Sequence, residues 1–441
     1  MNVREGEWAA LAIIEKVSGG AYSNEATAQV FAEKKLKGPA RAAALAYVRL
    51  TLENWQACEF VLKQYTKLNQ CGRTVRNILR MSTARLLFSQ AENAAIVHGA
   101  VELARASGKG AQSKFVNAVL RNVSRNKEHI PWPDIRTQPA QALAVRYSWP
   151  QWAAQEAIEI LGIEQAEQFL SSRSDGQVSF RVNTRRQTRE EALAALHAMQ
   201  IQAEPSAFCQ TGILAAGVEN ATGLSLYRNG ILSLQGQASL LAAQQLYGVK
   251  GTVLDVCAAP GGKTCAMAEM LGEDAQIYAF DIHPHRVALI QAQAKRLHLP
   301  NVHADVWDAK QPFSQWTGRA DAVLVDAPCS GLGTALHRPD VKRNRQPADI
   351  EALAQEQRAI LQNAARCVKP SGRLIYCTCT FMREENEAIV QHFLQENADF
   401  AQDILYVSQP LADRAQRGML QLWPHLDGTD AFFIAAMKRM R

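Results

Sequence analysis

Residues 252–264 read Thr252-Val253-Leu254-Asp255-Val256-Cys257-Ala258-Ala259-Pro260-Gly261-Gly262-Lys263-Thr264, and helix-forming sequence follows to Leu271. A short apolar run thus ends in an acidic residue and opens through small residues into a helix. The strand, turn, helix pattern returns at 277–281, 321–326 and 373–377. Continuous apolar strands alternating with helices predict a parallel sheet covered on both faces. Ligands of such sheets bind beyond the carboxyl ends of the strands, which is where the acidic residues and cysteines discussed below stand.

Upstream the periodicity changes. Residues 1–130 read as helical, with Ile96, Val97, Ala100, Val101 and Ala104, then Val116, Val119, Leu120 and Val123, at three- and four-residue spacing. Gly72, Gly108 and Gly110 divide this stretch into several helices, and Pro131-Trp132-Pro133 through Pro139 interrupts it as a linker. A second helical stretch over 141–172 leads to Val178-Ser179-Phe180-Arg181-Val182-Asn183, a strand by its β-branched and aromatic content. Residues 176–235 then read as a small mixed α+β module. The expected organisation is a helical domain over 1–140, a linking α+β domain over 141–235 and an α/β domain over 236–441.

The chain has 441 residues and a formal net charge of +6, with nine cysteines. That length excludes a small disulfide-stapled scaffold, and an odd, uneven set of cysteines suits reduced thiols. No apolar run reaches the roughly 18 residues of a membrane span, and Met1-Asn2-Val3-Arg4-Glu5-Gly6-Glu7 lacks a leader pattern, so a soluble cytoplasmic protein is expected, away from membranes. The charge is unevenly placed: 20 Lys and Arg stand against 11 Asp and Glu in residues 1–140, but 28 against 31 in 141–441. Within 63–127, twelve basic residues face only Glu92 and Glu102. This is the footprint expected for a phosphate backbone, although a solvated basic face has the same composition.

The turn at 257–263 fits neither the Walker pattern nor Gly-x-Gly-x-x-Gly, so neither a nucleoside triphosphate nor a dinucleotide is its natural guest. Its small residues admit a ligand to the backbone at a helix start. Asp281 ends the next strand, where a carboxylate can accept ribose hydroxyls. Together they suggest an adenosine-containing cofactor; a purely structural turn is the alternative. Asp326-Ala327-Pro328-Cys329-Ser330-Gly331 and Tyr376-Cys377-Thr378-Cys379-Thr380 follow two other strands and bring thiols and a carboxylate to one end of the sheet. Cys-x-Cys without further Cys/His pairs makes a poor zinc site, so no metal is expected. Cys58, Cys209, Cys265 and Cys367 fit buried, inert thiols.

These residues carry a resemblance. The Ala-Pro-Gly-Gly-Lys turn, Asp-Ala-Pro-Cys-Ser and Thr-Cys-Thr, in this order, resemble the RNA cytosine-C5 methyltransferases of the Nop2/Sun type, most of all the bacterial 16S rRNA enzymes of the RsmB (Fmu/Sun) group. Residues 114–122, Lys-Phe-Val-Asn-Ala-Val-Leu-Arg-Asn, are similar to the NusB-like RNA-binding domain of that group. Arg146-Tyr147-Ser148-Trp149-Pro150-Gln151-Trp152 and Arg181-Val182-Asn183 resemble its central segments. The resemblance covers nearly the whole chain and implies an all-α NusB-like domain, a linking domain and a Rossmann-like methyltransferase domain that uses S-adenosylmethionine.

Carbon 5 of cytosine is a poor nucleophile until a thiolate adds to carbon 6. The resemblance makes Cys379 that nucleophile, Asp326 the group that hydrogen-bonds or protonates the ring edge near N3, and Cys329 the residue that assists release. It assigns Cys257, Ala258, Ala259, Pro260, Gly261, Gly262, Lys263, Asp281, Asp305 and Asp326 to the cofactor, with Lys263 also orienting Asp326. Asp308 competes with Asp305 for the adenosine contact. Arg338 and Lys342 would reach phosphate, or belong to an ordinary charged loop. Glu384-Glu385-Asn386-Glu387 reads as an acidic helix start whatever the function. Gly236 stands where the family usually has Asp, and Asp430-Ala431-Phe432-Phe433 replaces Asp-Gly-Phe-Phe. The expected partner is 16S rRNA, naked or in an early small-subunit particle, and the protein is expected to be a monomer. Two alternatives stay open: uracil-C5 methylation, and an RNA-binding or assembly factor with a dead catalytic fold.

Overall fold

The structure, a computed structural model, describes residues 3–218 and 220–441. Met1 and Asn2, part of the stretch read for a leader, lie outside the described residues. Two compact units are present, one running to Ser172 and including His337–Arg345, the other comprising Arg173–Leu336 and Gln346–Arg441.

The first unit is helical. Its helices Val3–Ser18, Ser23–Lys34, Gly38–Glu53, Trp55–Lys63, Arg73–Phe88, Asn93–Ala104 and Ser113–Asn126 enclose a core that includes Ile13, Ile14, Leu62, Ile78, Leu79 and Leu120. The apolar spacing over 93–126 therefore marks core-facing stripes. Gly72 caps one helix, and Gly108, at φ +72°, kinks the segment Arg105–Lys109 that follows another, as a residue without Cβ can. After the Pro131–Pro139 break come helices Pro139–Tyr147, Gln151–Leu161 and Ile163–Ser171, which fold with this unit. Among the described residues no helix is long and apolar enough to cross a membrane.

The second unit opens with a four-stranded antiparallel sheet of β1 (Val178–Val182), β2 (Gln202–Pro205), β3 (Gly212–Ala216) and β4 (Leu232–Leu234), ordered β2-β3-β1-β4. Helix Arg189–Ala198 crosses between β1 and β2, and its start is fixed by a Thr188/Glu191 capping box. Arg181 on β1 is buried and pairs with Glu269 at 2.7 Å, while its Nη1 donates to the Gly262 carbonyl at 2.8 Å. This side chain fastens the small module to the helix that follows the glycine turn.

The larger sheet contains β5 (Gly251–Asp255), β6 (Ala275–Asp281), β7 (Val302–Val306), β8 (Ala320–Asp326), β9 (Val368–Thr378), β10 (Phe400–Gln402), β11 (Met419–Leu422) and β12 (Phe432–Arg439). Its order is β10-β12-β9-β8-β5-β6-β7, with β11 also on β12. Pairings from β9 to β7 are parallel, as expected, but β12 runs antiparallel to β9, β10 and β11. The sheet is therefore mixed. β11 and β12 form a hairpin-like pair, and such a connection reverses the chain where a crossover helix would have kept it parallel. Successive side chains enter opposite cores: Val253, Ile277, Leu324 and Ile375 on one face, Leu254, Phe280, Val323, Val325 and Tyr376 on the other.

Candidate active site

Because β9, β8, β5 and β6 are adjacent and parallel, their carboxyl ends line one edge, bringing Cys377 and Cys379, Asp326, Asp255 and Asp281 into a row. The glycine turn leaves the middle of that row. Gly261 has φ +100°, and a Cβ there would stand 3.1 Å from the Ile290 Cα, so both conformation and space demand glycine. Helix Gly262–Leu271 starts at once and places Lys263 Nζ 2.6 Å from Asp326 Oδ2. Burial pulls the Lys263 ammonium down, but the Asp326 carboxylate and the Cys377 and Cys379 thiols outweigh it and hold the group above the usual lysine range. The Cys377 thiol donates to Asp326 Oδ1 at 3.5 Å. Asp326 is thus fixed from two sides, with lone pairs left on both oxygens.

Asp255 is fully buried; Thr264 donates to its Oδ2 at 2.7 Å and its Oδ1 has no partner. Burial pushes its carboxyl up to about 7 against Thr264 and Lys263, with Asp326 adding to the rise. The folded state therefore favours the protonated form. That contribution to stability is complete below the unfolded value of about 3.9 and is lost as pH rises through about 7. Asp255→Asn, which cannot ionise, is expected to gain roughly 3 kcal/mol on the wild type between pH 5 and pH 8. Urea unfolding at the two pH values measures this; a difference independent of pH would contradict it.

The residues at these strand ends fit S-adenosylmethionine. The turn presents open backbone at Gly262, where a Cβ would meet nothing nearer than the Gln235 side chain at 3.9 Å, and a nearly buried carboxylate, Asp281, stands at the next strand end. Asp281 Oδ1 accepts the His283 N–H at 3.1 Å and Arg286 approaches Oδ2 at 3.4 Å, leaving acceptor capacity for a diol. Asp305 has a different setting. It lies inside β7, opposite Phe280, exposed, and caps its neighbour's N–H at 2.7 Å. Asp308, partly buried, stands past the end of β7, where ligands of such sheets bind.

The thiols of Cys329 and Cys379 approach to 3.3 Å from two different loops. The hydrogen bond to Cys379, together with burial, pushes the Cys329 thiol well above its ordinary range, and either sulfur can donate across the gap. The other thiols differ. Burial pushes Cys58 up, Cys209 and Cys265 to about 12 and Cys367 to about 11, in keeping with inert core residues. Cys377 is also pushed up, by burial and by Asp326.

Several expectations change. Lys342 does not project to solvent: it is buried over the Trp149 ring at 4.4 Å and donates to the Tyr147 carbonyl, while Asp340 accepts Ser23 N–H and O–H at 3.1 and 2.6 Å. Only Arg338 of that pair is exposed. Arg80 and Arg85 are buried in ion pairs with Glu59 and Glu7 and leave the basic surface. What remains includes an open groove of about 600 Å³ between helices Asn93–Ala104 and Ser113–Asn126, lined by His98, Arg105, Lys114, Asn117, Arg121 and Arg125. Gly236 faces Asp430, whose Oδ2 would be 3.9 Å from a Cβ there, so an Asp at 236 would bring two carboxylates together. Glu385, read as a helix-start residue, is fully buried instead and bonds to the Cys329 loop.

Residues 244–438 match the family model described as 16S rRNA methyltransferase RsmB/F, residues 5–125 the NusB family, and residues 149–218 the RsmF/B-like ferredoxin-like domain. The chain is 34% identical to the probable ribosomal RNA small subunit methyltransferase B of Bacillus subtilis strain 168, over 97% of each. It is 30% identical to ribosomal RNA small subunit methyltransferase B of Pseudomonas syringae pv. tomato, over 82% of this chain and 81% of that protein. The crystal structure of PH0851 matches with a TM-score of 0.83 at 26% identity, over 99% of both chains. A methyltransferase homologue from Pyrococcus horikoshii shares the fold over 68% of this chain and 99% of its own, with a TM-score of 0.59 at 24% identity.

Proposed function

Because this chain belongs to the 16S rRNA methyltransferase RsmB/F family and carries its S-adenosylmethionine-dependent methyltransferase domain, we propose that it methylates carbon 5 of a cytosine in 16S rRNA through a covalent bond from Cys379 to C6 of the base. The observation that carries this reading is the 3.3 Å approach of Cys329 and Cys379 in the same row of strand ends as the Lys263–Asp326 ion pair. Residues 257–263, with Asp281 and Asp308, would hold S-adenosylmethionine. When bound, it supplies the electrophilic methyl group that C5 accepts.

Cys379 Sγ, as thiolate, attacks C6 and the C5=C6 electron pair shifts into the ring. Asp326 accepts a hydrogen bond from the ring's amino edge, and a proton taken up on its carboxyl can pass to N3, neutralising the charge that gathers there. Lys263 keeps this carboxylate in place. After methylation Cys329, as a thiolate that has given its own proton to solvent, removes the C5 proton, the C–H pair restores C5=C6, Cys379 leaves as thiolate, and N3 returns its proton to Asp326. The order has a physical basis: Cys329 holds its proton chiefly through Cys379, and that hold ends once Cys379 is a neutral thioether. The target base must leave its stack to meet Cys379, which is easiest in a loop or single strand. The groove between helices Asn93–Ala104 and Ser113–Asn126 would offer cationic side chains to RNA backbone. Residues 1–140 would thus hold rRNA, 141–235 connect, and 236–441 catalyse.

Incubation of a 16S rRNA transcript with tritiated S-adenosylmethionine, followed by digestion to nucleosides, is expected to place the label in 5-methylcytidine. Label in 5-methyluridine would replace cytosine by uracil, and no label on any RNA would leave a dead scaffold.

A further inference from the structure

Between the two cysteine loops lies a pair of adjacent residues that grip one loop each. Glu385 ends the short turn Arg383–Glu385 and is wholly buried. Its Oε1 accepts the Ser330 N–H at 2.7 Å and its Oε2 the Ser330 hydroxyl at 2.6 Å. Gln357, from helix Pro347–Cys367, donates both to Glu385 Oε1 at 3.1 Å and to the Pro328 carbonyl at 2.9 Å. The residues on either side of Cys329 are therefore both held. Asn386, also wholly buried, accepts the Thr378 hydroxyl at Oδ1 and donates to the Thr380 carbonyl at 3.1 Å, so the residues on either side of Cys379 are held as well. Ser330 and Thr380 close the gap with a hydroxyl pair at 2.8 Å. The Tyr376 hydroxyl ties the Glu385 carbonyl to β9 at 2.7 Å.

An acidic residue that merely favoured a helix start would face solvent or the helix N–H groups. Glu385 does neither. Its burial pushes the carboxyl up, opposed by the donors from Ser330, Gln357 and Thr380. We propose that Glu385 and Asn386 are positioning residues, a clamp that keeps the Cys329 loop against the Cys379 loop and so maintains the approach of the two thiols. The clamp matters for the reaction because it rests on the reading above, in which one thiol bonds the base and the other completes release at the same carbon pair. Neither clamp residue contacts the reacting atoms; each acts through backbone next to a cysteine. Removing the carboxylate strands the Ser330 N–H without its acceptor and loosens its loop. A displacement near 1 Å lowers a positioned reaction by about 100-fold.

Three readouts on Glu385→Ala and Glu385→Gln test this. Phenylarsine oxide bridges two close thiols, and intact-mass spectrometry counts the bridge; Cys329→Ser identifies the signal from this pair. Calorimetry with S-adenosylhomocysteine reports the cofactor site, and tritium transfer to a 16S rRNA transcript reports turnover. Glu385→Ala is expected to lose the arsenical bridge and about 100-fold in kcat, with cofactor affinity and KM for S-adenosylmethionine within about threefold of wild type. Glu385→Gln, which keeps one acceptor, is expected to fall between. An intact bridge, or kcat within about threefold of wild type, overturns the clamp. Should Glu385→Ala not fold, judged by loss of cofactor binding, Glu385→Gln decides on the same criteria. The bridge needs no RNA, so a wild type that bridges yet makes no 5-methylcytidine would fail the functional reading and leave the clamp standing.

Discussion

Cys379→Ala is expected to lower methyl transfer to 16S rRNA by about four orders of magnitude or more, with S-adenosylhomocysteine binding unchanged. Cytosine C5 has no route to the methyl group without addition at C6, so removal of the nucleophile ends the reaction instead of slowing a step. The geometry makes the substitution clean. Cys379 follows β9, and its carbonyl accepts the Gly333 N–H at 3.0 Å, a backbone bond that alanine retains. Its side chain is not part of the cofactor turn. Serine at this position should fail nearly as badly, because a hydroxyl is a far weaker nucleophile at neutral pH. Single-turnover tritium transfer measures the effect, and a variant within tenfold of wild type would remove Cys379 from the role. Its neighbour Cys377 is a poor substitute, buried and donating its proton toward Asp326.

The row of strand ends was legible in the sequence for a physical reason: strands buried on both faces read as continuous apolar runs, and the residue that breaks each run marks its carboxyl end. Asp255, Asp281, Asp326 and Cys379 were found this way. Strand direction was not legible, because Phe432–Arg439 is as apolar antiparallel as it would be parallel; only its pairing with β11 reverses it. Nor was the choice between Asp305 and Asp308, since it turns on whether β7 ends at Val306 or two residues later. The charged residues misled most. Lys342, Arg80 and Arg85 look solvated in sequence, but tertiary partners far along the chain, Trp149, Glu59 and Glu7, bury them. Glu385 was hidden differently, as the residue type that a helix start favours anyway.

Cys329→Ala is expected to do the opposite of Cys379→Ala in one respect: turnover falls steeply, yet the protein accumulates on its RNA. The residue assigned to C5 deprotonation acts after the Cys379–C6 bond exists, so its loss leaves addition possible and elimination blocked. With a 16S rRNA transcript and S-adenosylmethionine, denaturing electrophoresis is expected to show at least about tenfold more protein–RNA adduct than wild type, and turnover lower by about 10²–10⁴, the usual share of a positioned base. The double variant Cys329→Ala/Cys379→Ala should show no adduct, which assigns the bond to Cys379. The structure adds a constraint on timing. The contact with Cys379 across 3.3 Å is the first cause that raises the Cys329 thiol, which favours its protonated form in the free enzyme. Formation of the C6 bond turns Cys379 into a thioether and weakens that hold, so Cys329 becomes easier to deprotonate at the stage that needs a base. In the adduct of wild-type protein with a 5-fluorocytosine-containing RNA, where no C5 proton can leave, Cys329 should therefore react faster with a thiol reagent small enough to enter than it does in the free protein. Equal or slower alkylation, or a Cys329→Ala variant without adduct, would return Cys329 to a structural role beside the nucleophile.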